Sequence, residues 1–505
     1  MNMPSCRSIL CCLVLSAALL AATACSTLTD AHTAKQEMMA HYMAGEYGTV
    51  REVLDDRLRP STWYNDSAVG TGDEIIWRLE AGTLCFLQED YEAGIAHFEA
   101  AEERMEDFDA RAVVNMREIG AESAVLVTNM NALPYRGLCR DRNLLPVFKA
   151  FAYLGKKDEE GFRVELFRLR EIQEKVLTDY RRFAEAEKQA VDNAREENSE
   201  AVSGINIGTI FSHTNNKSVS RELKKTEKVA RHGYGSFINP FAIFLSAYGY
   251  AREGDFENAL VDFERLRRIL PRSRMIRSLY AYTMTRAGRT LPNNLAKVRQ
   301  PDFPFERNSV LVVFANGRSA ALRQSSLYLP VIFPGYATLV AVAWPICEYY
   351  EAPYSGMTVQ TGEKVYTDET VADMDGILAQ EYRERLPGLI ARIVLSTAVK
   401  EFGSYAATRA AAQANEWAGL AVDATTTLYK MAVNTADTRS WEILPKEFRV
   451  AMAPIPEDRT VIITLSDSST IKAVIPPDTE SAIIYISAPS RQSPPLCRIF
   501  PLHAH

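Results

Sequence analysis

From Glu159 to Val202 the chain runs without proline, and without glycine after Gly161, in a composition dominated by Glu, Arg, Lys and Ala. Within it Phe162, Leu166, Leu169, Ile172, Val176, Tyr180, Phe183, Ala186, Ala190 and Ala194 recur on three- and four-residue steps, the spacing of one helix face. The stretch predicts a single helix over 159–202, about 60 Å long at ~1.5 Å per residue. That is longer than any repeat helix, so the element must project from the body or cross it. Its apolar seam thins to alanine after Phe183, which favours packing on the chain's own helices over a coiled coil with a partner. The Gly-, Asn- and Ser-containing stretch that follows, 203–220, reads as a mobile link.

The segments flanking this helix show a recurring pattern. Asn239-Pro240 is an N-cap followed by proline at the first helical position, where no amide is lost. Phe241, Phe244, Leu245, Tyr248 and Tyr250 continue that helix, Gly254-Asp255-Phe256 turns a corner, and Ala259, Phe263 and Pro271 follow. This resembles one tetratricopeptide repeat, in which a small residue lets two helices approach and an aromatic fills the gap. Gly82, Tyr91, Gly94, Phe98 and Ala101 form an earlier copy that lacks the closing proline. The resemblance implies a tetratricopeptide-like helical repeat domain over 37–290, with a concave binding surface.

Beyond about Leu291 the texture changes. Pro292, Pro301 and Pro304 break helices, and Val310-Leu311-Val312-Val313-Phe314 reads as a strand ended by Asn316-Gly317. The uninterrupted apolar run 337–343 reads as a buried strand, and 373–402 as helical, with Pro387 starting a new helix. Strands return at 448–452, 461–465 and 482–486. The fold class expected is therefore mainly α, with tetratricopeptide-like repeats and a long helix, followed by a C-terminal α+β domain over 300–505 whose sheet is antiparallel and covered by helices on one side.

The N-terminus carries an apolar run from Ile9 to about Ala22, preceded by Arg7 and closed by Leu20-Ala21-Ala22-Thr23-Ala24-Cys25. This is the anatomy of a signal peptide, 1–24, and the run is shorter than the ~20 apolar residues a membrane span needs. Cys25 is the expected lipidation site, followed by a tether over 25–36; two or three acyl chains would hold the protein on a membrane. Ser26 after it resembles the outer-membrane sorting pattern of Gram-negative lipoproteins. With 505 residues, 47% hydrophobic and 24% charged, the rest has ordinary globular composition. A net charge of −7 argues against nucleic acid as a partner. Cys85, Cys139, Cys347 and Cys497 permit three disulfide pairings but show no C-x-x-C spacing, so bridges and buried thiols both stand.

Two further motifs are Leu133-Pro134-Tyr135-Arg136-Gly137 and Ala436-Asp437-Thr438-Arg439-Ser440-Trp441-Glu442-Ile443-Leu444-Pro445. With Asn239-Pro240-Phe241 and Gly254-Asp255-Phe256 they resemble an uncharacterised family of bacterial tetratricopeptide-type lipoproteins. That resemblance brings no catalytic residues, and implies a role in envelope biogenesis beside other envelope lipoproteins. Asp437 and Arg439 can lock a loop while Trp441 plugs a core, or all three can anchor a partner. Arg136 divides the same way between loop clamp and anion-binding contact, and as interaction candidates it stands beside Tyr250, which marks the repeat surface. The aromatics Tyr328, Tyr336, Tyr349, Tyr350 and Tyr354 offer a platform for glycan or peptide, or pack against prolines.

No nucleophile elbow, P-loop, zinc motif or dinucleotide fingerprint occurs, and the seven histidines are scattered. No cofactor or metal is expected, and no enzymatic activity. The function expected is a membrane-anchored scaffold or adaptor for protein–protein interaction in cell-envelope assembly, held on the outer membrane and facing the periplasm. The alternative is a periplasmic peptidoglycan- or polysaccharide-binding module.

Overall fold

The computed structural model describes residues 34–60, 62, 67–118, 135–203, 205, 207–235, 237–333, 336–414 and 435–503. Cys25 with the leader before it, the tether as far as residue 33, and Pro134 lie outside them.

The first half is helical: α1 (34–44), α2 (Tyr47–Arg57), α3 (Glu74–Leu87), α4 (Tyr91–Glu118), α5 (Cys139–Gly155), α6 (Glu159–Glu197), α7 (Ser199–Val202), α8 (Lys217–Ala230), α9 (Pro240–Arg252), α10 (Phe256–Ile269) and α11 (Arg274–Arg286). Side chains start the helices where the sequence supplies acceptors. Asn239 Oδ1 accepts from the amides of Phe241 and Ala242 at 3.0 and 3.3 Å, and Asp255 Oδ1 from that of Asn258 at 3.0 Å, each satisfying an amide with no partner in the first turn. Gly82 lets α3 and α4 meet: a Cβ there would lie 2.7 Å from the Phe98 ring. The 39 residues of α6 extend about 58 Å.

Eleven strands follow among the described residues: β1 (Ser309–Asn316), β2 (Ala321–Phe333), β3 (Tyr336–Glu348), β4 (Met357–Thr361), β5 (Lys364–Thr367), β6 (Glu369–Asp373), β7 (Glu447–Pro454), β8 (Thr460–Leu465), β9 (Thr470–Val474), β10 (Ser481–Ala488) and β11 (Leu496–Leu502). Between β6 and β7 runs α12 (Met374–Ala414). Pro387 lies inside this one continuous helix rather than at the start of a second. Its exposed position lets water satisfy the carbonyl it leaves unpaired.

The strands form a five-stranded sheet in the order β11-β10-β1-β7-β6, a four-stranded sheet β5-β4-β8-β9, and a separate hairpin β2-β3. The larger sheet is mixed, not antiparallel as expected. Its central pair β1–β10 is parallel from Val310↔Ala482 to Asn316↔Ala488, which the long chain between the two strands permits. Both strands are buried along their whole length, as central parallel strands are.

Alternation along these strands divides the core. Leu311, Val313, Phe448, Val450, Ile483 and Tyr485 point into the helical layer, whereas Val310, Val312, Phe314, Ala451, Ile484 and Ile486 point into the four-stranded sheet. The head is thus a sandwich of helices, mixed sheet and antiparallel sheet. Phe241 of α9 stacks on Phe448 of β7, 4.1 Å between centroids and 8° apart in plane, and Phe86 of α3 meets Tyr485 of β10 at 5.2 Å. One core runs from Met38 to Leu502 through both halves of the chain. The concave face expected of the helical half is therefore filled by the chain's own sheet.

A second core lies apart from the head. Val191 of α6, Ala201, Val202, Ile205, Ile210, Val219 of α8, the inner face of the β2–β3 hairpin and Ile393–Ala398 of α12 pack together. This is an arm carried by the far ends of the two long helices. Residues 207–216, within the stretch read as a mobile link, form two 3-10 turns. Their Asn216 is buried and pins the edge of β2: its Oδ1 accepts from Tyr328 N at 2.7 Å and its Nδ2 donates to Tyr328 O at 2.8 Å.

Candidate functional site

The segment 436–446 crosses between the helical layer and the mixed sheet, and the charged side chains that touch it are buried, as at Glu80, Arg140, Asp375 and Glu442, or half-buried, as at Lys35, Asp73, Arg323 and Arg439. Trp441 is 0% exposed, its ring 5.5 Å from Phe148 and 6.2 Å from Phe98. Asp437 accepts from the Arg439 backbone amide at 3.1 Å and from its Nε and Nη2 at 2.9 Å each. Arg439 Nη1 reaches on to Asp73 Oδ1 at 2.9 Å, immediately before α3, with the guanidinium 5.7 Å above the Tyr135 ring. Burial alone would raise the Asp437 carboxyl, but the facing Arg439 charge and hydrogen bonds hold it below its ordinary value.

Arg140, 0% exposed, lies at the centre. Its Nε donates to Asp141 at 3.0 Å, its Nη1 to Ser319 Oγ at 2.9 Å and Ala320 O at 3.3 Å, and its Nη2 to Trp441 O at 3.0 Å. One planar fork thereby joins α5, the β1–β2 connection and the crossing segment, a geometry that lysine cannot reproduce. Tyr135 donates to the other oxygen of Asp141. The amides at the start of α5 are capped from a distant helix: Glu381 of α12 accepts from Cys139 N at 3.1 Å and Arg140 N at 3.4 Å. Glu80 of α3 does the same for the crossing segment, accepting from Glu442 N at 2.8 Å and Ile443 N at 3.0 Å, with Lys35 Nζ 3.1 Å away.

Burial pushes the Glu80, Glu381 and Asp375 carboxyls up, with Lys35, Arg385 and Lys446 respectively opposing it. Glu442 is the exception. Burial raises it too, but Lys35, Arg323 and Arg318 converge on it and bring it down to about 2; Arg323 Nη2 is 2.7 Å from its Oε2. A carboxylate held this way is fully ionised and committed.

Among the described residues no group of three His, Cys, Asp or Glu side chains converges as a metal site. A surface groove of about 470 Å³ lies between Ile269–Ser273 and Asp368–Thr370. Its carboxylates are engaged: Glu369 caps α11 through Arg274 N and Met275 N at 3.1 and 3.0 Å, and Asp368 binds Arg449.

No protein-family model, curated protein or solved structure matches this chain.

Of the residues singled out in the sequence, Asp437, Arg439 and Trp441 meet at this clamp, and Arg136 lies in the turn beside it. There the Arg136 carbonyl accepts from Arg142 Nε at 2.8 Å, and Arg142 in turn binds Asp109 at 2.6 Å. Tyr250 lies on another pair of helices, stacked on Phe167 at 4.6 Å with Arg170 4.9 Å from its ring. Trp441 as an interface anchor is corrected: a fully buried indole offers a partner no surface. The aromatic platform dissolves similarly, because Tyr354 is buried, Tyr349 bonds Thr226 and Tyr336 bonds Glu401. Cys85, Cys139, Cys347 and Cys497 are free thiols, the first three buried. Missed altogether were Glu80, Arg140 and Glu381, and Glu442 stood in the 436–445 motif without a role of its own. The available signal was charge inside apolar helical pattern, as in Ile75-Ile76-Trp77-Arg78-Leu79-Glu80-Ala81.

Proposed function

We propose that this chain is a membrane-anchored scaffold or adaptor of the cell envelope, tethered through Cys25 on the periplasmic face of the outer membrane. The clamp is its internal fastening, and partners engage its outer surfaces. The observation that carries the reading is on the arm. Lys217, Arg221, Lys224 and Lys228 follow one another along α8 at helical spacing, all exposed, while Val219, Leu223, Thr226 and Ala230 occupy the opposite, packed side. None of the four cations makes an ion pair with a described residue, in a chain whose net charge is −7. An exposed row of unpaired cations recognises an acidic partner and speeds its docking.

The helical pairs α9–α10 and α10–α11 are tetratricopeptide-like in this reading. Fully buried Ala259 and Phe263 at their crossing, and helices of 13, 14 and 13 residues, support it. They serve as a rigid outer wall, since their inner side meets the sheet.

The test is in-cell crosslinking and affinity purification of the tagged protein from envelopes, comparing wild type with Lys224→Glu/Lys228→Glu. A stoichiometric protein partner that the reversed charges lose supports the adaptor reading. Recovery of peptidoglycan or polysaccharide fragments with no protein partner overturns it in favour of the glycan-binding alternative.

A further inference from the structure

Between Arg323 and Glu348 the chain contains no Asp, Glu, Lys, Arg or His, and this whole stretch is the β2–β3 hairpin. Register places Leu327/Val342, Leu329/Val340, Val331/Thr338 and Phe333/Tyr336 on one face and Tyr328/Ala341, Pro330/Leu339 and Ile332/Ala337 on the other, since directly opposed residues share a face. The first face packs on α8 and α12 within the arm core. The second does not: Ile332 is 65% and Leu339 40% exposed, and Ala337 and Ala341 are exposed beside them. An apolar sheet face left uncovered marks a docking surface.

We infer that this outer face rests in the acyl–headgroup boundary of a lipid bilayer. Three observations select lipid over protein. The face offers no charge and almost no hydrogen-bonding side chain near the tip, whereas protein interfaces carry roughly one hydrogen bond per 100–200 Å² and a polar rim. Strand addition by a second copy is blunted along β2, whose edge is pinned by Asn216 at Tyr328, bridged by Ile205 at Val331 and interrupted by Pro330, which has no amide to donate. On that same outer face polar side chains return toward the base, Ser326 opposite Ala343 and Gln324 opposite Pro345, with Ser326 and Gln324 both exposed. An apolar band that gives way to hydroxyl and amide side chains suits a surface that stops at the membrane–water boundary. Because the hairpin's inner face stays packed on the arm, the hairpin lies on the bilayer and does not span it. The cationic row of α8, on the far side of the arm core, then faces away from that membrane.

The inference does not depend on lipidation of Cys25, and its test separates the two. p-Benzoylphenylalanine is introduced at Ile332, at Leu339 and, as control, at exposed Val474 of β9 in the full chain, irradiated in cells and read by mass spectrometry. The expected result is phospholipid adducts at 332 and 339 several-fold above those at 474, in wild type and to a lesser or equal extent with Cys25→Ser. Adducts to another protein, to a second copy of the chain, or at no more than the 474 level overturn it, even if an acyl group is found on Cys25.

Discussion

Arg140 has five N–H donors and no solvent exposure, so its worth is measured by what its loss would strand. Arg140→Met leaves the buried Asp141 carboxyl without its guanidinium partner and orphans the Trp441 carbonyl, and should destabilise the head by about 3–5 kcal/mol in urea unfolding. A cost below about 1 kcal/mol would mean the contacts are decorative. Glu442 gives the clamp a pH signature. Its pKa falls from an ordinary 4.5 to about 2 in the folded chain, so its contribution is complete above pH 4.5 and is lost as pH drops toward 2. At ~1.36 kcal/mol per unit this amounts to roughly 3 kcal/mol at most. Glu80, Glu381 and Asp375 are raised and act in the opposite sense, their contribution fading as pH rises through their folded values. The measurement is therefore the difference between wild type and Glu442→Gln: wild type should lose more melting temperature than the variant between pH 4.5 and 2. The Asp437–Arg439 lock and the Trp441 plug stand among the sequence readings, whereas the clamp's glutamates were not legible because a glutamate within an apolar helix reads as the exposed edge of a stripe. Only tertiary structure reveals that Glu80 and Glu381 serve backbone amides hundreds of residues away.

Elements whose signals are local were legible. The run around Phe162 carries a helical period through α6, and Asn239-Pro240 carries its own cap. Runs whose meaning depends on a neighbour were not. The apolar stretch 337–343 reads as buried on both sides, yet only one of its faces is covered, because periodicity is silent about what lies opposite. The link 203–220 lacks apolar period, and its order comes from Asn216 reaching the edge of β2 together with Ile205, Ile210 and Val219 packing in the arm core. Asn216→Ala should free that edge: losing buried hydrogen bonds worth about 1–3 kcal/mol locally would speed exchange of the Tyr328 amide roughly 10- to 100-fold, while the head's melting temperature holds. Unchanged exchange at Tyr328 would show that Ile205 or the arm core holds the strand instead. At the α3–α4 crossing, Gly82→Leu must displace the Phe98 ring, and about 1–3 kcal/mol of overpacking cost is expected in thermal unfolding.

At the scale of the whole molecule, the change of texture near residue 291 suggests two domains side by side, whereas the packing interleaves them. Helices from the first half and strands from the second contribute to one core, and the crossing segment 436–446 is fastened to both. The sequence shows that each half has a face to bury and not that each buries it against the other; parallel pairing of β1 with β10 is equally non-local. A head built this way keeps its inner helical surface closed, which is why binding is assigned to the arm and outer walls. Native-state hydrogen exchange read by mass spectrometry tests that claim most directly. Amides of α3, α5 and α9 should open with the same free energy and denaturant dependence as those of β1, β7 and β10, in one cooperative unit. Helices that open well before the strands, with a separate denaturant slope, would contradict the shared core and restore a helical surface free to bind.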